Sequence, residues 1–162
     1  MAPIVPYIPE TITVHLGAPD AGAENVTVSF SDYVKNVLSS EVYPTWEPAA
    51  LRANALAVIS FALNRVYTEY YRSRGYPFDI TSSTAIDQKF INGRNIYENI
   101  SALVDELFTD YLRRQGYVEP LAAKFCNGVT TVSPWPIDAN ASLSSLMSVG
   151  NFDVTDTHGV PV

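Results

Sequence analysis

The chain has 162 residues, room for one domain, and 47% of them are apolar against 17% charged, so wholesale disorder is excluded. Ten Lys and Arg against seventeen Asp and Glu leave a formal charge of −7, which argues against binding a nucleic-acid backbone or an anionic membrane surface. One cysteine, Cys126, rules out an internal disulfide. With only His15 and His158 beside it an ordinary zinc cluster is excluded, and no metal or cofactor is expected.

Residues 1–10 carry Pro3, Pro6 and Pro9 and read as an extended arm without the basic and apolar regions of a signal peptide. Thr11 to Leu16 alternates apolar and polar residues, as does Val26 to Phe30; with Gly17 to Asn25 as the turn, they form an antiparallel hairpin. Ser31 or Asp32 caps a short helix over Tyr33 to Ser39, broken before Pro44. Thr45 caps a long second helix with Pro48 in its first turn; it runs to about Arg72, roughly 40 Å. Its run Ala55 to Leu63, interrupted by Ser60, is far short of the roughly 20 apolar residues that span a bilayer, so membrane insertion is not expected.

Tyr76 to Thr84 reads as an extended segment or loop, and Lys89 to Ile91 as a short strand closed by Asn92-Gly93. A third helix is predicted from about Ile96 to Gln115, because Ile96, Ile100, Leu103, Val104, Leu107, Phe108, Tyr111 and Leu112 form one apolar stripe. Val118 to Phe125 reads as a returning strand. The last thirty residues contain no Lys, Arg or Glu and show weak periodicity. The expected fold is α+β, a single domain of two or three long helices packed on a small, mainly antiparallel sheet.

No phosphate-cradling glycine loop or nucleophile elbow is present, and neither His stands beside a nucleophile, so carboxylate chemistry on a neutral substrate remains. Glu41 is the best placed carboxylate, flanked by Val42, Tyr43 and Trp46. Apolar surroundings would raise its pKa and keep it protonated, as a general acid requires, whereas a helix N-terminus after Thr45 would favour the charged form if aimed at it. Composition alone leaves it an exposed loop glutamate.

The stretch from Ser40 through Glu41-Val42-Tyr43-Pro44-Thr45-Trp46 to Leu63 resembles the signature of the SpoIID/LytB (stage II sporulation protein D) family, where a Glu-Met pair precedes a Trp-Pro turn and an Ala-rich helix. Phe78 to Thr84, Gln88-Lys89-Phe90-Ile91-Asn92-Gly93, Ile100 to Leu112 and Ala123 to Gly128 resemble its later blocks in order. Val42 replaces the family's Met, Asn54 its Gln and Ile59 its helix Arg. On this resemblance residues 11–131 form the SpoIID-like domain and 132–162 a divergent tail.

The resemblance implies a lytic transglycosylase acting on peptidoglycan glycan strands, especially those stripped of stem peptides, with Glu41 as catalytic acid. Gln88, Ser83 and Thr84 are then candidates for hydrogen bonds to sugar, and Tyr43, Trp46 and Tyr76 for stacking on sugar faces; turn satisfaction and core packing are the alternative roles. A second reading keeps the scaffold without the reaction, as a wall- or spore-associated module that holds glycan or a protein partner. Loss of the helix Arg favours that module and retention of Glu41 favours the enzyme. Compartment, oligomeric state and protein partners stay open.

Overall fold

The computed structural model describes residues 7–114 and 117–122, together with the backbone of 152–156. In chain order these residues form β1 (Thr11–His15), β2 (Asn25–Ser29), α1 (Phe30–Glu41), α2 (Pro48–Tyr67), β3 (Ile80–Thr81), α3 (Glu98–Leu107), β4 (Asp110–Arg114) and β5 (Phe152–Asp156). The result is an α+β domain with a small sheet.

The sheet is mainly antiparallel, as expected, but not wholly so, because one short parallel pairing makes it mixed. Its order is β2-β1-β3: β1 pairs antiparallel with β2, Thr11 opposite Ser29, and parallel with β3, Val14 opposite Ile80. The hairpin thus forms as its alternation predicts, and the parallel partner comes from the segment after α2. β4 and β5 make a separate antiparallel pair.

α1 begins at Phe30, three residues earlier than expected, because the Ser29 hydroxyl accepts the Asp32 N–H at 3.1 Å and caps the helix there. It reaches Glu41, where the Val42 N–H bonds the Leu38 carbonyl and the backbone turns extended. α2 begins at Pro48 rather than after Thr45. It ends at Tyr67 rather than Arg72: Glu69 adopts φ 51° and a single 3-10 turn, Arg72–Arg74, closes on Gly75 at φ 89°. Fourteen of its twenty residues, from Ala50 to Asn64, are buried, so α2 is the central helix of the core rather than an amphipathic surface helix.

The third helix stops at Leu107, and β4 follows within three residues. Tyr111 and Leu112, which extend the helical stripe in sequence, are buried in extended backbone, where the Leu112 N–H bonds the Ser60 hydroxyl at 2.6 Å. Lys89 to Ile91 is a loop and not a strand. Of the return expected over Val118 to Phe125, Pro120 makes an isolated bridge to Arg113, and residues 123–125 lie outside the described residues, as do Cys126 and His158. Phe152–Asp156, in a stretch of weak periodicity, supplies β5. His15 is buried in β1, its ring stacked on Phe78 at 4.5 Å. Among the described residues no helix is long and apolar enough to cross a membrane.

Candidate functional site

Glu41 is the last residue of α1, and the loop of residues 87–94 is laid along that helix. Four residues on one side of α1 hold it. The Tyr33 hydroxyl donates to Gln88 Oε1 at 2.9 Å, and Ser40 Oγ accepts from Arg94 Nη1 at 3.1 Å. Asn36 closes both backbone groups of Ile91, its Nδ2 donating to the carbonyl at 2.8 Å and its Oδ1 accepting the N–H at 2.9 Å. Glu41 Oε1 accepts the Lys89 N–H at 3.0 Å, and Oε2 is closed off from solvent.

The loop is fastened from within as well. Gln88 Nε2 donates to the Val58 carbonyl of α2 at 3.2 Å, and the Phe90 ring stacks on Tyr33 at 5.5 Å. A turn closes it where the Arg94 N–H meets the Ile91 carbonyl at 3.2 Å, a geometry that needs φ 81° at Gly93. The Arg94 guanidinium lies 5.5 Å from the Tyr97 ring centroid. On the other flank of Glu41 the Trp46 N–H bonds the Tyr43 carbonyl, and Asn99 Nδ2 ties the Pro44 carbonyl to the start of α3 at 2.8 Å.

At the head of the loop stands Asp87, wholly buried. Its Oδ1 accepts from Arg65 Nε at 2.8 Å, and its Oδ2 from the Tyr71 hydroxyl at 2.5 Å, the Thr81 N–H at 3.0 Å and the Thr81 hydroxyl at 2.6 Å. Arg65 is sandwiched between Phe61 and Tyr70, at 4.6 and 3.9 Å. Burial, then the hydrogen bond to Asp87, pushes the Tyr71 phenol well above its ordinary range. Tyr33 is raised too, first by burial and then by the charges of Asp87 and Glu41. Asp87 is committed to structure.

Of the residues expected at the site, Glu41, Tyr43 and Trp46 come together: Tyr43 is 69% exposed, and half-buried Trp46 lies 6.2 Å from its ring. Gln88 is adjacent, but it is 3% exposed and both ends of its amide are used within the chain. Ser83 and Thr84 lie on the Asp87 side. The Ser83 carbonyl accepts the Asp87 N–H at 2.7 Å, its own N–H bonds the Thr81 hydroxyl at 3.3 Å, and Thr84 is exposed. Tyr76 is not brought to Glu41. It packs on Tyr71 and Phe78 beyond the end of α2, its hydroxyl on Asp20 at 2.6 Å, whereas Trp46 precedes the start of that helix, about 30 Å away along its axis.

Sequence reasoning missed Asn36, the Lys89 amide, Arg94 and Tyr97, which is 42% exposed. Tyr33, Asn36 and Ser40 share one side of α1, but Ser31, Asp32, Lys35, Ser39 and Glu41 are polar as well, so their spacing alone does not set them apart. Lys89 and Arg94 are the two cationic residues of the loop beside Glu41, and neither is ion-paired to a described carboxylate. Among the described residues no group of three or more His, Cys, Asp or Glu side chains is placed to hold a metal.

A family model described as SpoIID, Stage II sporulation protein, matches residues 22–109, from the turn before β2 to the end of α3. All the residues that hold the loop against α1 fall inside that span. No curated protein matches the chain.

Proposed function

The chain belongs to the SpoIID family of stage II sporulation proteins, and from that membership we propose that it cleaves peptidoglycan glycan strands as a lytic transglycosylase, with Glu41 as the acid and base. Membership associates it with sporulation and cell-wall lysis; the bond cleaved and the residue responsible are our reading. The observation that carries it is the grip of the Lys89 N–H on Glu41 Oε1, at the edge of a face bearing Tyr43, Trp46 and Tyr97.

Oε2 is closed off from solvent, so the oxygen a strand can reach is Oε1, which accepts the Lys89 N–H on one lone pair and holds the transferable proton at the other. The end of α1 is the negative end of its dipole and Oε2 is withdrawn from water, which both favour the neutral acid, while the Lys89 N–H favours the carboxylate. A group pulled both ways suits one that must give a proton and take one back. Glu41 protonates the oxygen between MurNAc and GlcNAc as the C1–O bond breaks and positive charge develops at C1. Its carboxylate then takes the proton of the sugar's own C6 hydroxyl, O6 bonds C1, and a 1,6-anhydro end forms with no water consumed.

Such general acid–base help is worth about 10² to 10⁴-fold. The attacking hydroxyl is intramolecular, so no second carboxylate is needed to activate water, unlike the two-carboxylate glycosidases. Asp87, saturated with donors, is not asked to serve. The exposed aromatics offer faces to sugar rings, and the charges of Lys89 and Arg94 suit the free lactyl carboxylate of a strand stripped of stem peptides.

Digestion of denuded strands followed by mass analysis tests this. Wild-type protein should yield 1,6-anhydro ends. Glu41→Gln should yield none, a loss of at least 10²-fold, while staying folded because the amide oxygen still accepts the Lys89 N–H. One observation favours a catalytically silent module that holds glycan or a protein partner: Ile59, wholly buried, occupies the place of the family's helix Arg. Strands bound by wild-type protein without anhydro ends would decide for that module.

A further inference from the structure

We infer that Asn36 is a positioning residue for Glu41, acting through the backbone of Ile91 to aim the Lys89 N–H at the carboxyl. The role of Glu41 rests on the proposed function; the mechanical link does not. Asn36 is buried on α1 and does for Ile91 what a neighbouring strand would do, pairing its N–H and its carbonyl at 2.9 and 2.8 Å. Lys89 is two residues upstream, so less than about 7 Å of chain connects the clamp to the amide that holds Glu41 Oε1.

On the upstream side the Gln88 side chain is fixed to Tyr33 and Val58. The Lys89 amide therefore hangs between an anchored side chain and a clamped backbone. Its direction matters because a hydrogen bond weakens steeply with angle, and a reacting group must be held to about half an ångström. Ser40 extends the arrangement: its hydroxyl donates to the Asn36 carbonyl at 2.7 Å and accepts from Arg94, so one patch of α1 sets both ends of the turn that follows.

The test follows the Glu41 side-chain carboxyl carbon and the Lys89 amide by NMR through a pH titration of the full chain. In wild type the Lys89 amide proton should shift with the ionisation of Glu41. In Asn36→Ala that coupling should disappear and the Glu41 midpoint should rise by about half a pH unit or more, because the carboxylate loses the Lys89 N–H. Tyr33 on α1, Tyr43 beyond it, and Lys89 and Arg94 on the loop are all kept, so a changed midpoint reports the amide bond.

Asn64→Ala removes an equally buried amide, bonded to the Pro120 carbonyl at 2.7 Å and away from the loop; it should leave both readouts as in wild type. A folded Asn36→Ala with wild-type coupling and midpoint, or an equal change in Asn64→Ala, overturns the inference. If Asn36→Ala does not fold, Asn36→Leu, which keeps the side-chain volume but neither bond to Ile91, is read by the same two criteria. In glycan digestion Asn36→Ala should lower kcat about tenfold with KM little changed. Absence of anhydro ends from wild-type digests overturns the transglycosylase reading alone, and the titration still decides the role of Asn36.

Discussion

At Asp87 one carboxylate satisfies four donors, and its side chain has no solvent exposure while that of Arg65 retains 11%. Breaking such a pair costs more than the pair contributes, because the surviving charge stays buried. Asp87→Asn is nearly isosteric, yet it should lower stability by about 3–5 kcal/mol in urea unfolding at pH 7, since Arg65 loses its counter-charge. The tyrosines set an alkaline limit. Both Tyr33 and Tyr71 titrate above their ordinary value of 10.0 in the folded chain, so the neutral phenols contribute stability that is fully present below pH 10 and is lost as pH rises beyond it. Tyr33→Phe leaves the buried Gln88 Oε1 without its donor and should cost about 1–3 kcal/mol at pH 7. Its decline above pH 10 should nevertheless be shallower than that of wild type, a difference that urea unfolding followed from pH 7 to 11 will measure.

Ser60 joins two elements, donating to the Leu56 carbonyl within α2 at 2.6 Å and accepting the Leu112 N–H of β4 at the same distance. Ser60→Ala removes the acceptor of a buried amide and should cost about 1–3 kcal/mol, read as a lowered urea midpoint with unchanged slope. The same joint explains why β4 was illegible. The stripe from Ile96 to Leu112 fits the 3.6-residue period throughout, but Leu112 is held in extended backbone by Ser60, 52 residues away, and β4 pairs with Phe152–Asp156, some forty residues on. No window along the chain contains either partner. β1 and β2 were legible because they alternate and adjoin, whereas β3, two residues long, pairs across α2 and turned the sheet mixed. α1 and α2 were visible from apolar content, and their ends moved to where Ser29 and Pro48 put them.

Across the whole molecule, α2 is the body on which two structures are mounted independently. Val58, whose carbonyl holds Gln88, and Ser60, whose hydroxyl holds Leu112, are two residues apart and so about 200° apart around the helix. The loop under Glu41 is therefore fastened to one side of α2 and β4 to the other. Glu41 could be singled out in the sequence because a local signature surrounds it. Asn36, Arg94 and Tyr97 could not, since their importance arises from contacts 54 or 55 residues distant in Asn36–Ile91 and Ser40–Arg94, and from a stacking onto Arg94 that only the folded turn creates. A double-mutant cycle measures this separation. Tyr33→Phe combined with Ser60→Ala should be additive within about 0.5 kcal/mol, as expected of groups on opposite sides of a packed helix. Tyr33→Phe combined with Asn36→Ala should depart from additivity by more than that, because both release the same loop and the second substitution finds it already loosened. Equal coupling in the two cycles would mean that α2 transmits strain from β4 to the face of Glu41, and the loop and the second sheet would then have to be treated as a single mechanical unit.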